Sequence, residues 1–393
     1  MADRTSIGTG VALVGSLTAS LGSKRDTLIR DYNVPLVSDR FGHVGSAVIT
    51  VVIARPYNGA YSPPQTSQTL ALEKSSRLGG HRGNGQNTRS GSLQIGENTI
   101  KSFLSAAELG ADVVELDVQL TKYNVPVIYH DFLVAEKGSD APMHTLTYKQ
   151  FMAISDAQTS STWHEEPRKR LPWDERERPL ALRDTRRMSL CAPLDSATDT
   201  LTEQMKNTLN YLGYKPNLRH HNCQRTFRWS LSSNIMLYEA ADFQMENYAT
   251  EINVFLDTIL SVTYARSGNR RIISTSFSPE ICMVLAVKQQ VYPILFLNDS
   301  SNWPTSDMRA TSLQTAMRLE HRFGLHGVAM SSESFVHSPG IVGLARGQGL
   351  YTASYGPLND DGASVEIQTK AGVDLIIVNK VKLMRQFVDR AKH

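Results

Sequence analysis

The feature that most constrains this chain is an alternation of short apolar runs with helical stretches, repeated from residue 271 to the C-terminus. Five runs carry it: Arg271 to Phe277, Tyr292 to Leu297, His326 to Ser331, Leu350 to Tyr355 and Asp374 to Asn379. The helices that follow are expected at residues 279–290, around 313–323, around 340–346, on a stretch ending near Gly372, and at the C-terminus. Strands apolar along most of their length, separated by helices, indicate a parallel sheet covered by those helices. The same rhythm begins earlier, with Leu78-Gly79-Gly80-His81-Arg82 and with Asp112 to Leu120. Between these two lies an amphipathic helix. It opens at Glu97-Asn98-Thr99, with Asn98 the expected N-cap, and ends at Gly110. The run Val125 to His130 is separated from Leu120 by Thr121 to Asn124 only. A parallel crossover needs about a dozen residues, so this return is expected as a β-hairpin. Leaving out the hairpin, seven barrel strands are evident, and an eighth must lie between Leu201 and Thr250. Eight strands predict a (β/α)8 TIM barrel, whose active site lies at the C-terminal ends of its strands.

The remaining segments divide the chain. Residues 1–75 read as a β-rich N-terminal segment, the tail of a small β domain, followed by a linker at Tyr61 to Thr69. Within it, Ala47 to Ala54 is an almost continuous β-branched run suited to a buried strand. Residues 76–393 make up the barrel domain. The stretch at about 155–200 mixes charges with prolines and reads as a solvated insertion. The stretch at about 213–233 is atypical, basic and rich in His and Arg.

Composition narrows the function classes. Of 393 residues, 41 are basic and 38 acidic, for a net charge of +3, too balanced to argue for nucleic acid or an anionic membrane surface. Cys191, Cys223 and Cys282 are odd in number and contain no CxxC, which suggests a reducing compartment. No run reaches the roughly 18 apolar residues of a membrane span. The N-terminus lacks the basic start of a signal peptide, so a cytoplasmic location is expected.

Ionisable chemistry is concentrated between residues 79 and 131. Glu115 and Asp117, two apart on a strand, point to one face and offer oxygen ligands to one hard divalent cation. His81 and His130 have the side chain best suited to acid and base work near neutral pH. Arg82 offers a planar fork to a phosphate. A phosphodiester needs these parts: charge neutralisation, an arginine to position it, a base for the nucleophile and an acid for the leaving oxygen.

These residues resemble a known family. His81-Arg82-Gly83, Glu97-Asn98-Thr99, Glu115-x-Asp117 and His130-Asp131 are similar to the signature of the glycerophosphodiester phosphodiesterases, across most of residues 78–385. Val114 to Thr121 and Pro126 to Phe132 resemble its eukaryotic cytosolic branch, closest to fungal enzymes that hydrolyse glycerophosphocholine. The resemblance implies His81 and His130 as the acid/base pair, Glu115 and Asp117 as metal ligands, and Arg82 as the phosphate contact. It implies Glu97 as a supporting residue, with a ligand role open. The implied cofactor is one Mg2+ or Ca2+, the implied substrate a small glycerophosphodiester, and the products glycerol 3-phosphate and an alcohol such as choline.

One family element is missing. A strand resembling Asn-Ile-Glu-Ile-Lys-Tyr-Pro normally supplies a third metal-binding Glu and a phosphate-facing Lys. If Asn234-Ile235 begins that strand, Met236 and Tyr238 stand where the Glu and Lys belong. Two readings stay open. Residues about 213–233 replace the motif through a misassigned splice or reading frame, or the protein is a variant with a weakened site. The alternative function is therefore an inactive barrel that binds a phosphodiester or a partner without hydrolysing it.

Overall fold

The computed structural model describes residues 7–13, 15, 29–40, 42–59, 76–87, 95–130, 133–136, 139–159, 228–232, 251–267, 270–300, 309 and 312–392. Asp131, the linker at Tyr61 to Thr69, His220-His221, Met236, Tyr238, Cys191, Cys223 and the insertion beyond Thr159 lie outside them.

Eight strands run parallel in one sheet: β3 (Arg77–Gly80), β4 (Val113–Leu120), β8 (Arg228–Ser232), β9 (Arg271–Ser276), β10 (Ile294–Asn298), β11 (Gly327–Ser331), β12 (Tyr351–Tyr355) and β13 (Leu375–Val378). They follow one another in that order, and β13 pairs with β3, so the sheet closes on itself. The eighth strand falls between Leu201 and Thr250 as expected, but at Arg228–Ser232 rather than at Asn234. It therefore belongs to the segment that looked atypical, and it pairs with β4 on one side and β9 on the other. The return run is β5 (Pro126–Ile128), antiparallel to β4 in a hairpin. A further hairpin, β6 (Leu133–Glu136) with β7 (Ser139–Pro142), follows it.

Helices follow the strands: α1 (Ile100–Glu108), α2 (Tyr148–Thr159), α3 (Ile252–Arg266), α4 (Pro279–Lys288), α5 (Leu313–Phe323), α6 (Ser332–His337), α7 (Gly340–Gly347), α8 (Gly362–Ala371) and α9 (Val381–Ala391). Helix α2 carries regular structure into the first residues of the expected insertion. Among the described residues, no helix is long and apolar enough to cross a membrane.

The strand period of two sorts side chains into two cores. Val113, Ile273, Leu295, Ala329, Ala353, Leu375 and Ile377 pack together inside the barrel. Their sequence neighbours Val114, Ile272, Ile294, Phe296, Val328 and Ile376 pack outward against the helices, with Phe103 and Phe335. This double burial is why the strands read as continuous apolar runs. It also fixes where chemistry can appear. Residues of the same parity as Val113 on β4, two and four further along, are Glu115 and Asp117.

The N-terminal segment forms a two-stranded antiparallel sheet of β1 (Ile29–Val37) and β2 (His43–Val52). The expectation of a buried strand here is not met: Val48 is 67% exposed. A β-branched run reports preference for extended backbone, and burial needs a covering layer that the described residues do not provide. The chain leaving β2 is fastened to the barrel. The Asn253 amide donates to the Ile53 carbonyl at 2.9 Å and accepts from the Arg55 N–H at 2.7 Å, and Lys288 Nζ donates to the Arg55 carbonyl at 2.7 Å.

Candidate active site

Of the residues singled out above, His81, Arg82, Glu97, Glu115, Asp117 and His130 gather near the ends of β3, β4 and the β4–β5 hairpin. The His81 N–H donates to the Val378 carbonyl at 3.0 Å, which continues the β3–β13 ladder one residue past the strand. Gln119 on β4 donates from Nε2 to the carbonyls of Tyr129 and His130, both at 3.0 Å, so the hairpin return is held over the end of β4.

Arg82 is the hinge of the arrangement. It adopts φ 48, a left-handed conformation rare for a residue with a Cβ. Such strain persists only where the surroundings impose it, and here they do. Its N–H donates to Glu115 Oε2 at 2.8 Å, its carbonyl accepts from Asn98 N at 2.9 Å and from Ser102 Oγ at 3.1 Å, and its guanidinium reaches two carboxylates. NH1 lies 3.0 Å from Glu97 Oε1 and Nε lies 3.5 Å from Asp117 Oδ2. Arg82, Glu97, Glu115 and Asp117 are all buried. Glu97 holds Arg82 through one oxygen and accepts from the Asn87 N–H at 2.7 Å through the other.

Asn98 departs from expectation. It is not the N-cap of α1; Thr99 is, accepting from Ser102 N at 3.2 Å. Asn98 instead takes φ 55 and turns its amide onto Asp117, donating to Oδ2 at 3.2 Å and accepting from the Asp117 N–H at 3.4 Å. Gly110, with φ 95, ends the helix as expected.

The electrostatics follow from crowding charges in a buried site. Burial first, and the neighbouring Asp117 second, push the Glu115 carboxyl well above its ordinary range, against the pull of the Arg82 N–H and guanidinium. Burial, then Arg82, lower His81 to about 3 and His130 to about 4. Both imidazoles are half-buried. Both are therefore neutral at pH 7 in the resting site.

Two features were not foreseen. Asn379, one residue beyond β13, accepts at Oδ1 from His81 Nδ1 at 2.9 Å, and Asp360 accepts from the Asn379 amide at 2.7 Å. Asn and Asp are ordinary at strand ends, so only the parity of Asn379 with Leu375 and Ile377 signals its inward position. The other feature is the register of β8, which sets Ser230 beside Glu115 and Ser232 beside Asp117. Strand β8 reads Arg-Trp-Ser-Leu-Ser and contains no Asp or Glu. Among the described residues, no group of three or more His, Cys, Asp and Glu converges as a metal site.

Comparison with known proteins agrees with this geometry. The model of the glycerophosphoryl diester phosphodiesterase family matches residues 81–383, and that of the GDE1-like C2 domain matches residues 2–58. The glycerophosphocholine phosphodiesterase GDE1 of Eremothecium gossypii is 33% identical over 98% of this chain, which spans 31% of that protein. The Candida albicans protein of the same name is also 33% identical, over 97% of this chain and 34% of its own length. The chain thus spans about a third of the length of these two fungal relatives. A crystal structure of a Silicibacter pomeroyi protein assigned to the glycerophosphoryl diester phosphodiesterases superposes with a TM-score of 0.55. It is 17% identical and covers 83% of this chain and 98% of its own. At that identity it supports the barrel fold alone. With the family model covering most of the chain, the protein belongs to the glycerophosphoryl diester phosphodiesterase family.

Proposed function

We propose that this chain hydrolyses small glycerophosphodiesters, glycerophosphocholine among them, to glycerol 3-phosphate and a free alcohol. The observation that carries the reading is the meeting of Arg82, Glu115, Asp117, His81 and His130 at one barrel mouth. The relatives in Eremothecium gossypii and Candida albicans bear the name glycerophosphocholine phosphodiesterase, which supports the choice of diester.

Glu115 and Asp117 would hold the divalent cation, Mg2+ or Ca2+. Burial and the neighbouring Asp117 raise the Glu115 pKa even with Arg82 opposing them, so the pair of carboxylates would favour added positive charge, and hard oxygen ligands suit either ion. When bound, the cation neutralises charge developing on the phosphoryl oxygens. Arg82, steadied by Glu97, positions the phosphate. His81 takes the proton of the attacking oxygen, being neutral at working pH. His130 delivers a proton to the leaving alcohol. To do so it must take up a proton as substrate binds, which the phosphate anion beside it favours against the burial and the Arg82 charge that lower its pKa to about 4.

A second reading is favoured by one observation, the absence of a carboxylate from β8. On that reading the barrel binds the diester without turning it over. Glycerol 3-phosphate release from glycerophosphocholine by the purified chain, with Mg2+ or Ca2+ and with chelator, separates the two. Chelator-sensitive turnover supports hydrolysis. Diester binding without turnover supports the binder.

A further inference from the structure

We propose that Asn379, oriented by Asp360, is a positioning residue that locks His81 in the tautomer with hydrogen on Nδ1, so that Nε2 is the nitrogen that accepts the proton. The inference rests on the reading of His81 as the proton acceptor, and it names the atom that does the work and what selects it.

The argument starts with which way the Asn379 amide points. Oxygen and nitrogen of an amide are told apart by their partners. The Nδ2 group lies 2.7 Å from Asp360 Oδ2, a carboxylate oxygen that only accepts. Oδ1 lies 2.9 Å from the Gln86 backbone N–H, which only donates. Turning the amide over would set oxygen against oxygen on one side and N–H against N–H on the other. Oδ1 therefore faces His81, 2.9 Å from Nδ1, and an oxygen without hydrogen can only accept. Nδ1 must then carry the hydrogen. In a neutral imidazole that leaves the lone pair on Nε2.

The rest of the neighbourhood makes this arrangement rigid. Asp360 grips Asn379 twice, accepting its backbone N–H at 2.8 Å as well as its amide. The adjacent Asn359, fully buried, donates to the Ile377 carbonyl at 2.8 Å, so the turn carrying Asp360 is tied to β13. On the other side Gly85, at φ 103, packs where a Cβ would come within 2.4 Å of the Asn379 carbonyl. The loop that bears His81 thus closes directly on Asn379. The groups acting on the imidazole are Arg82 and His130, which with burial favour its neutral form, and Asn379, which opposes them. A neutral ring is the one for which the choice of tautomer matters. A wrongly protonated imidazole presents N–H where a lone pair is required, and fixing the tautomer is a recognised role for a residue behind a catalytic histidine.

The experiment uses the full chain labelled with 15N histidine, read by NMR at pH 7 without substrate. His81 is assigned by comparison with a His81→Gln sample, and steady-state kinetics on glycerophosphocholine run in parallel. The wild-type His81 should show a protonated Nδ1 and an unprotonated Nε2. Asn379→Ala should mix the tautomers and lower kcat about tenfold or more while KM moves little. The double exchange Asp360→Asn with Asn379→Asp reverses only the bond between those two side chains; position 379 still accepts from His81 and from the Gln86 N–H, and position 360 still accepts the backbone N–H of residue 379. It should restore both the Nδ1–H spectrum and most of kcat. A wild-type His81 protonated at Nε2 overturns the proposal, as does an Asn379→Ala protein with an unchanged spectrum. If Asn379→Ala does not fold, the wild-type spectrum and the double exchange still decide. The spectrum needs no turnover, so a chain that binds without hydrolysing would fail the kinetic arm and leave the tautomer result standing.

Discussion

The two strands that bear the site have unlike neighbours. Beside β3 stands β13, whose continuation delivers Asn379 to His81 and ties in Asp360 behind it. Beside β4 stands β8, which pairs in good register but brings serines to the level of Glu115 and Asp117. On the proposed reading, the first seam gives the proton-accepting His81 its support in Asn379 and Asp360. The second gives the proposed cation site two carboxylates, with no Asp or Glu in the described β8. Register and pairing are therefore separable from chemical equipment: a strand can close a barrel without completing its active site, because closure is decided by backbone hydrogen bonds.

Experiments can break or sharpen that contrast. The largest expected effect is at the complete seam. His81→Ala should lower kcat by roughly 10²- to 10⁴-fold, the usual contribution of a positioned acid or base, in a glycerol 3-phosphate release assay with protein that binds the cation normally. An unchanged kcat would remove His81 from the chemistry. Next comes the incomplete seam. Ser230→Glu places a carboxylate at the register position beside Glu115, and divalent cation affinity measured by calorimetry should tighten about tenfold or more. No change would mean that β8 is not where the missing ligand belongs.

A subtler test concerns protons. Glu115 holds its proton to unusually high pH, so cation binding must expel it. Apparent affinity should rise with pH, and calorimetry in buffers of different ionisation enthalpy should register proton release. Binding without proton release would place the cation elsewhere. The histidines act on stability in the opposite region. Their folded pKa values, about 3 and 4, lie below the unfolded value, so the unfolded chain takes up protons first as pH falls. Thermal stability should be full above about pH 6.5 and decline as pH falls toward 4, and part of that decline should be absent in His130→Gln. The smallest effect lies at the helix cap that follows β9. Ser278 caps α4 by accepting from Ile281 N, and Ser278→Ala should cost about 1 kcal/mol in denaturant unfolding with kcat unchanged.

Much of this was legible in the sequence because the physics was local. Strands buried on both faces read as unbroken apolar runs, so β9 to β13 stood out, and the four residues Thr121 to Asn124 forced a hairpin. Two-residue spacing put Glu115 and Asp117 on one face. Other features were set by partners distant in the chain. Asn98 looked like a cap because caps favour Asn, yet Asp117 claimed its amide and Thr99 took the cap. Val48 belongs to a run with high β-preference, but preference does not reveal whether another layer covers it. Helix α6 was missed because six residues leave little periodicity to read. Strand β8 was hidden because Arg-Trp-Ser-Leu-Ser has neither a continuous apolar run nor a carboxylate. Asp360 carries no local signal, and Asn379 carries only its parity with Leu375 and Ile377.

The bond between His81 and Asn379 joins residues 298 positions apart. It sets a clock on synthesis. At roughly 5–20 residues per second, a ribosome takes on the order of 15 to 60 s to travel from one to the other. Through that interval His81 exists without the group that orients it, and β3 without the strand that closes the barrel. The nascent chain therefore carries most of the proposed site residues early, while the strand and the asparagine that complete the mouth arrive only when β13 has been made.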